Sequence, residues 1–115
     1  MKRFGMRSET LDSGAVVLAL RGDLDLQHLY SFEAGLRDLE ATKTRCIVLD
    51  LRRLDFVDSS GIRQLLAARR RASRASRRLL LVRGGPPIQR VMALAGLQDV
   101  FETVSDVPAE LREAP

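Results

Sequence analysis

The sequence has no tryptophan, one histidine and one cysteine, and only 4% of it is aromatic. A single thiol, Cys46, excludes an internal disulfide and is too little for a cysteine metal site. Its setting, Arg45-Cys46-Ile47-Val48-Leu49, reads as a buried strand, so the thiol is expected to act as a small core hydrophobe. With so few aromatics the core must be aliphatic, which 45% apolar residues in a chain of 115 can supply. His28 has no second ligand near it and is expected to face solvent near the start of the first helix. Without a histidine beside Ser59 or Ser60, a serine hydrolase lacks its base. The only lysines are Lys2 and Lys43. Neither stands after a late strand, which argues against phosphoaspartate chemistry at Asp23, Asp25, Asp50, Asp55 or Asp58. Gly84-Gly85-Pro86 lacks the lysine and spacing of a phosphate-binding loop. No cofactor or metal is expected.

Long apolar runs are missing too. The longest, such as Ala15 to Leu20, is far too short to cross a bilayer. Lys2 and Arg3 are followed by Phe4-Gly5-Met6-Arg7 rather than by an apolar segment, so no signal peptide is read and the cytoplasm is the expected location. Acidic residues are absent between Asp58 and Asp99, where nine arginines stand. The formal net charge of +4 therefore hides a strongly basic stretch in a mildly acidic remainder.

What is present alternates. Phe4 to Leu11 suits an edge strand, Asp12-Ser13-Gly14 a turn, and Ala15 to Leu20 a buried strand. From Leu26 the period becomes helical through Leu29, Phe32, Leu36 and Leu39, with Asp25 placed to cap. Cys46 to Leu51 reads as a central strand, and Leu54, Phe56 and Val57 lead to a serine pair. A second helix is predicted over 60–76. Ile62, Leu65, Leu66 and Ala72 face its core side, Arg69 stands at the edge of that stripe, and Arg63, Arg70, Arg71 and Arg74 lie on the other side. Leu79 to Val82 is a strand, Pro86 opens a helix that Gly96 stops, Val100 to Val104 is a last strand, and 107–114 is helical. This order predicts an α/β fold in one domain spanning 1–115: a mixed sheet of about four to five strands with about four helices packed on it.

The point richest in chemistry is Asp58-Ser59-Ser60-Gly61, where a buried strand gives way to a helix. All three residue types are preferred at helix starts, so a purely structural cap explains the tetrapeptide by itself. Unpaired amides at a helix start also favour an anion, and a phosphate on Ser59 or Ser60 would supply one.

Beyond this loop, the chain resembles the STAS family, and within it the small free-standing anti-sigma factor antagonists of bacteria. The likeness runs through Gly22-Asp23-Leu24-Asp25, Val48-Leu49-Asp50-Leu51, Leu54 to Ile62, Pro87-Ile88-Gln89-Arg90-Val91 and Ala95-Gly96-Leu97 to Phe101. It implies a STAS-type fold and a protein-interaction switch, not an enzyme. Ser59 matches the serine phosphorylated by an anti-sigma factor that is itself a serine kinase, with Ser60 as a second acceptor to consider. Asp23, Asp25, Asp58, Ser60, Gly61, Ile62 and Arg63 match the partner-binding region. The unmodified protein would bind the anti-sigma factor and free a sigma factor. Phosphorylation would stop this until a PP2C-type phosphatase removed the group, the ATP being bound by the kinase. The family often has a small residue where Arg63 stands, and a glycine-rich turn where Arg77-Arg78 stand.

Two other readings follow. One is a STAS adaptor that is never phosphorylated, in a stress-signalling assembly or on a lipid-transport ATPase. The other is a nucleic-acid binder using the arginines. Against the latter, aromatic interleaving is missing and no DNA-reading helix pair is apparent.

Overall fold

A computed structural model describes residues 3–114. Lys2, which entered the reading of the N-terminus, lies outside the described residues. The elements are β1 (Gly5–Thr10), β2 (Val16–Leu24), a 3-10 turn (Leu26–His28), α1 (Leu29–Glu40), β3 (Cys46–Val57), α2 (Ser59–Arg74), β4 (Arg78–Val82), α3 (Pro86–Leu94), β5 (Glu102–Val104) and α4 (Ala109–Arg112). The five strands form one mixed sheet in the order β1-β2-β3-β4-β5. β1 pairs antiparallel with β2, and the remaining neighbours are parallel.

That order decides where the helices go. Sequential parallel strands joined by right-handed crossovers put every connecting helix on the same face. Phe32 and Leu36 of α1, Ile62, Leu65 and Ala68 of α2, and Ile88 of α3 accordingly share one core with Leu18, Leu20, Ile47, Leu49 and Leu51 of the strands. The alternate strand residues, Val17, Cys46, Val48, Leu80 and Val82, face the other way, where Val107 and Leu111 cover them. The Ser13 hydroxyl donates to the Leu111 carbonyl and ties this C-terminal cover to the β1–β2 turn. An order without a reversal also has no topological switch point, the crevice in which open α/β sheets bind small ligands.

Several boundaries differ from those read in the sequence. β2 continues through Gly22-Asp23-Leu24, because Gly22 takes φ +83° and the pairing with β3 shifts register there. A Cβ on Gly22 would sit 1.7 Å from the Arg3 carbonyl oxygen, so the first segment packs against a bare backbone. β3 runs unbroken from Cys46 to Val57, so the strand read to Leu51 and the buried strand read before Asp58 are one, joined through the polar Arg52, Arg53 and Asp55. α2 begins one residue earlier than predicted, and the last strand starts only at Glu102. α3 ends at Leu94, and Gly96 just beyond it turns the chain away at φ +73°, the stop read in the sequence.

The arginines of α2 are also redistributed. Arg69 is exposed, whereas Arg71 is half-buried and donates from Nε to Glu40 of α1 at 2.8 Å. Arg71 has a carboxylate to reach across the groove between the two helices, which periodicity within α2 cannot show. Arg77 closes the α1–β3 connection by donating to the carbonyls of Thr44, Glu40 and Thr42. Arg78 pairs with Glu102 of β5.

Candidate functional site

The site is built where β2 and β3 end side by side. Asp23 pairs with Phe56 and Leu24 with Val57, so the chain leaves both strands at the same edge. From β2 it enters the 3-10 turn, and from β3 it enters α2.

Asp58 is the N-cap of α2 and joins these two exits. Its Oδ1 accepts from the Ser60 amide at 3.0 Å, the Gly61 amide at 3.0 Å and the Ser60 hydroxyl at 2.6 Å. Its Oδ2 accepts from the Leu26 amide at 3.2 Å, and its own amide donates to the Leu24 carbonyl. Burial pushes the Asp58 carboxyl up, but the Ser60 hydroxyl and the amides of Gly61, Leu26 and Ser60 outweigh it, leaving the group below its ordinary value. Asp58 is therefore ionised at neutral pH. The amides of Ser60 and Gly61, expected from the sequence to be available to an anion, are already taken by this carboxylate.

Asp25 caps the 3-10 turn rather than α1 itself. Its Oδ1 accepts from the His28 amide and lies 2.7 Å from His28 Nδ1. His28 also stacks on Phe4 with ring centroids 6.0 Å apart. Its side chain is only 19% exposed, so it does not face solvent as the sequence suggested.

The two serines occupy different environments. Ser59, the first residue of α2, is exposed. Ser60 is 6% exposed, with its hydroxyl held by Asp58. Gly61 is buried against Leu24, and a Cβ there would meet the Leu24 carbonyl oxygen at 2.6 Å. Ile62 belongs to the core, and Arg63 returns to the surface. Of the residues singled out in the sequence, Ser59 and Arg63 thus stand on the surface. Ser60, Gly61 and Ile62 lie beneath it and hold the first turn in place.

Three exposed apolar residues flank the loop and were not singled out. Leu26, 72% exposed, is the residue whose amide Asp58 holds; Tyr30, 90% exposed, follows four positions on; Phe56, 48% exposed, precedes Asp58 by two. Side chains of this size left bare beside a rigid cap suit a protein contact. Nothing in the sequence marks them, since Leu54 and Val57 beside Phe56 are equally apolar and only the fold buries them.

Among the described residues, no three His, Cys, Asp or Glu side chains are grouped as metal ligands would be. No helix among them is long and apolar enough to cross a membrane. Of the nine arginines in the acid-free stretch, Arg71, Arg77 and Arg78 are engaged within the fold, and the other six are exposed on several elements.

A capped helix start at the edge where β2 and β3 end, on a mixed sheet whose connecting helices α1, α2 and α3 share one face, defines a class of small α/β domains. The sequence profile of the STAS domain matches residues 9–110, and the chain belongs to that family. BtrV of Bordetella bronchiseptica, named as an anti-sigma factor antagonist, is 27% identical over 88 residues, 76% of each chain. An anti-sigma factor antagonist from Mycobacterium paratuberculosis superposes with a TM-score of 0.82 at 22% identity, covering 91% of this chain and 88% of that one. The antagonist SpoIIAA in its unphosphorylated form gives 0.73 at 23% identity over 89% and 90%. The phosphorylated form of SpoIIAA, described as a Bacillus cell-fate determinant, gives 0.67 at 23% over 89% and 93%. At these identities the solved structures show a shared fold.

Proposed function

We propose that this chain is an anti-sigma factor antagonist switched by phosphorylation of Ser59. The observation that carries the reading is the contrast between two adjacent hydroxyls: Ser59 is exposed, and Ser60 is buried and committed to Asp58. The partner is an anti-sigma factor serine kinase, met in the cytoplasm and reset by a PP2C-type phosphatase. The chain does no catalysis of its own. The γ-phosphoryl group of ATP held by the kinase passes to Ser59 Oγ, ADP leaves, and the serine gives up its hydroxyl proton. Unmodified, the exposed Leu26, Tyr30 and Phe56 and the polar groups of Asp23, Asp25, Asp58, Ser59 and Arg63 form the contact. Ser60, Gly61 and Ile62 shape it from below.

The switch needs no change of fold. A phosphate adds about −1.5 to −2 charge beside the ionised Asp58. It must then be desolvated against a partner shaped for a neutral hydroxyl. Each ~1.4 kcal/mol of misfit lowers affinity tenfold. The test is mass spectrometry of Ser59 after co-expression with candidate kinases, joined to partner binding by Ser59→Ala and Ser59→Asp. Binding by Ser59→Ala and its loss in Ser59→Asp support the reading. If both variants bind like the parent and Ser59 stays unmodified, the chain is instead a constitutive STAS adaptor.

A further inference from the structure

We propose that Arg63 is a built-in counter-charge for a phosphate on Ser59, so that phosphorylation adds an anion to the partner-facing surface and withdraws a cation from it in one step. This rests on Ser59 being the modified residue.

The placement comes from helix geometry. Ser59 and Arg63 stand four residues apart in α2, both exposed. At that spacing Cβ atoms lie about 5–6 Å apart on one face, and long side chains lean back toward the N-terminus. The Arg63 guanidinium is thereby directed toward Ser59. Arg70 and Arg74 continue the same face further down the helix, beyond the reach of the first turn.

The need for a counter-charge comes from the cap. A phosphate at a helix start ordinarily draws on free amides. Here Asp58 already holds the amides of Ser60 and Gly61. The charged groups on the neighbouring elements are mostly of the wrong sign: Asp58 in the loop, Asp55 at the end of β3, Asp25 in the 3-10 turn, and Glu33 of α1, which holds Gln64. His28 is committed to Asp25. Arg63 is the one cation in the first two turns of α2 and makes no ion pair among the described residues. An arginine fork also matches phosphate geometry with paired N–H donors, which a lysine does not.

The experiment installs phosphoserine at position 59 during protein synthesis, with no kinase involved. The second ionisation of the phosphate is then followed by phosphorus NMR at low salt. Arg63 favours the dianion, so Arg63→Ala is expected to raise the midpoint by about 0.2–0.4 unit. Arg63→Lys should raise it less, Arg70→Ala should leave it unchanged, and high salt should shrink the Arg63 effect. Arg63 is exposed, so these variants should melt like the parent, which circular dichroism checks. An unchanged midpoint in Arg63→Ala, or an equal shift in Arg70→Ala, overturns the pairing and leaves the Ser59 switch standing. Absence of Ser59 phosphorylation in cells would instead remove the switch without altering this titration.

Discussion

The Ser60 hydroxyl donates to Asp58 Oδ1 at 2.6 Å, inside the first turn of α2. One carboxylate thus secures the helix start, a buried hydroxyl and, through Leu26, the exit from the neighbouring strand. Ser59 is left on a platform whose backbone is fixed before any partner arrives. A modification there would change the surface rather than the fold.

Removing the carboxylate should show how much the platform depends on it. Asp58→Ala loses the cap and strands the Ser60 hydroxyl, so about 1–2 kcal/mol of stability should disappear in urea unfolding. The pH dependence follows from the lowered folded-state value of Asp58. Such a group contributes stability above its ordinary value of 3.8 that is lost as pH falls through the lower folded value. Below about pH 4 the parent should therefore weaken more steeply than Asp58→Asn. Asp50 and Glu102 are also lowered and should leave part of the slope in the variant. Parallel acid profiles would show that Asp58 has no such role.

Gly61 is required by contact rather than by its dihedral angles. A Cβ there would press on the Leu24 carbonyl oxygen at 2.6 Å and on Val57 Cγ2 at 2.7 Å. Gly61→Ala should cost about 1–3 kcal/mol through this overpacking, seen as a lower urea midpoint at unchanged slope. Ser59→Ala, on the exposed side of the same turn, should stay within about 0.5 kcal/mol of the parent. Equal effects from the two changes would contradict the assignment of inner and outer faces.

These contrasts mark what the sequence could and could not reveal. The alternation of strands and helices was legible because apolar runs such as Ala15–Leu20 and Cys46–Leu49 are unbroken. The capping potential of Asp58 was legible because Asp-Ser-Ser-Gly is a local signal. The second half of β2 was not, since Gly22 and Asp23 are poor strand residues held by their neighbours, and Arg52, Arg53 and Asp55 masked the continuity of β3. Ser59 and Ser60 look alike in the sequence. They differ only because successive helix positions turn about 100°, and the packing of α2 decides which one faces inward.

Arg71 and Glu40 offer a test of a contact invisible to periodicity. The pair bridges α1 and α2 at 2.8 Å, its side chains are 25% and 13% exposed, and Arg71 Nη2 is buried without a partner. Glu40→Ala leaves a largely enclosed guanidinium with no carboxylate and should cost about 1–3 kcal/mol. Arg71→Met strands the Glu40 carboxylate, the more enclosed partner, with only Arg37 at 3.6 Å, and should cost a similar amount, whereas the double change Glu40→Leu with Arg71→Met should be nearly neutral. Should the double variant prove as harmful as either single change, the packing of the two stems rather than their charges secures the groove.

Cys46 should be inert. It lies 7% exposed between strands, and burial raises its thiol above the ordinary 9.0 despite an opposing pull from Arg78. Both access and thiolate are scarce at neutral pH. Alkylation by iodoacetamide should therefore proceed only at the rate of unfolding and accelerate in urea. Rapid labelling of the native protein would show that the C-terminal cover over this face opens readily.

Leu26 and Tyr30 separate binding from stability most cleanly. At 72% and 90% exposure they contribute little to the core, so replacing either with alanine should move the melting temperature hardly at all. If this rim seats the partner, each loses a large apolar contact on truncation. Tyr30→Ala, the bulkier of the two, should weaken binding by about tenfold or more in calorimetry. The loss should appear mainly as faster dissociation, because the missing contacts are short-ranged. Arg63→Ala, by contrast, should slow association and lose its effect at high salt. Unaltered affinity in both Leu26→Ala and Tyr30→Ala would move the partner surface away from the mouth of α2, and the exposed hydroxyl of Ser59 would lose its place in the contact.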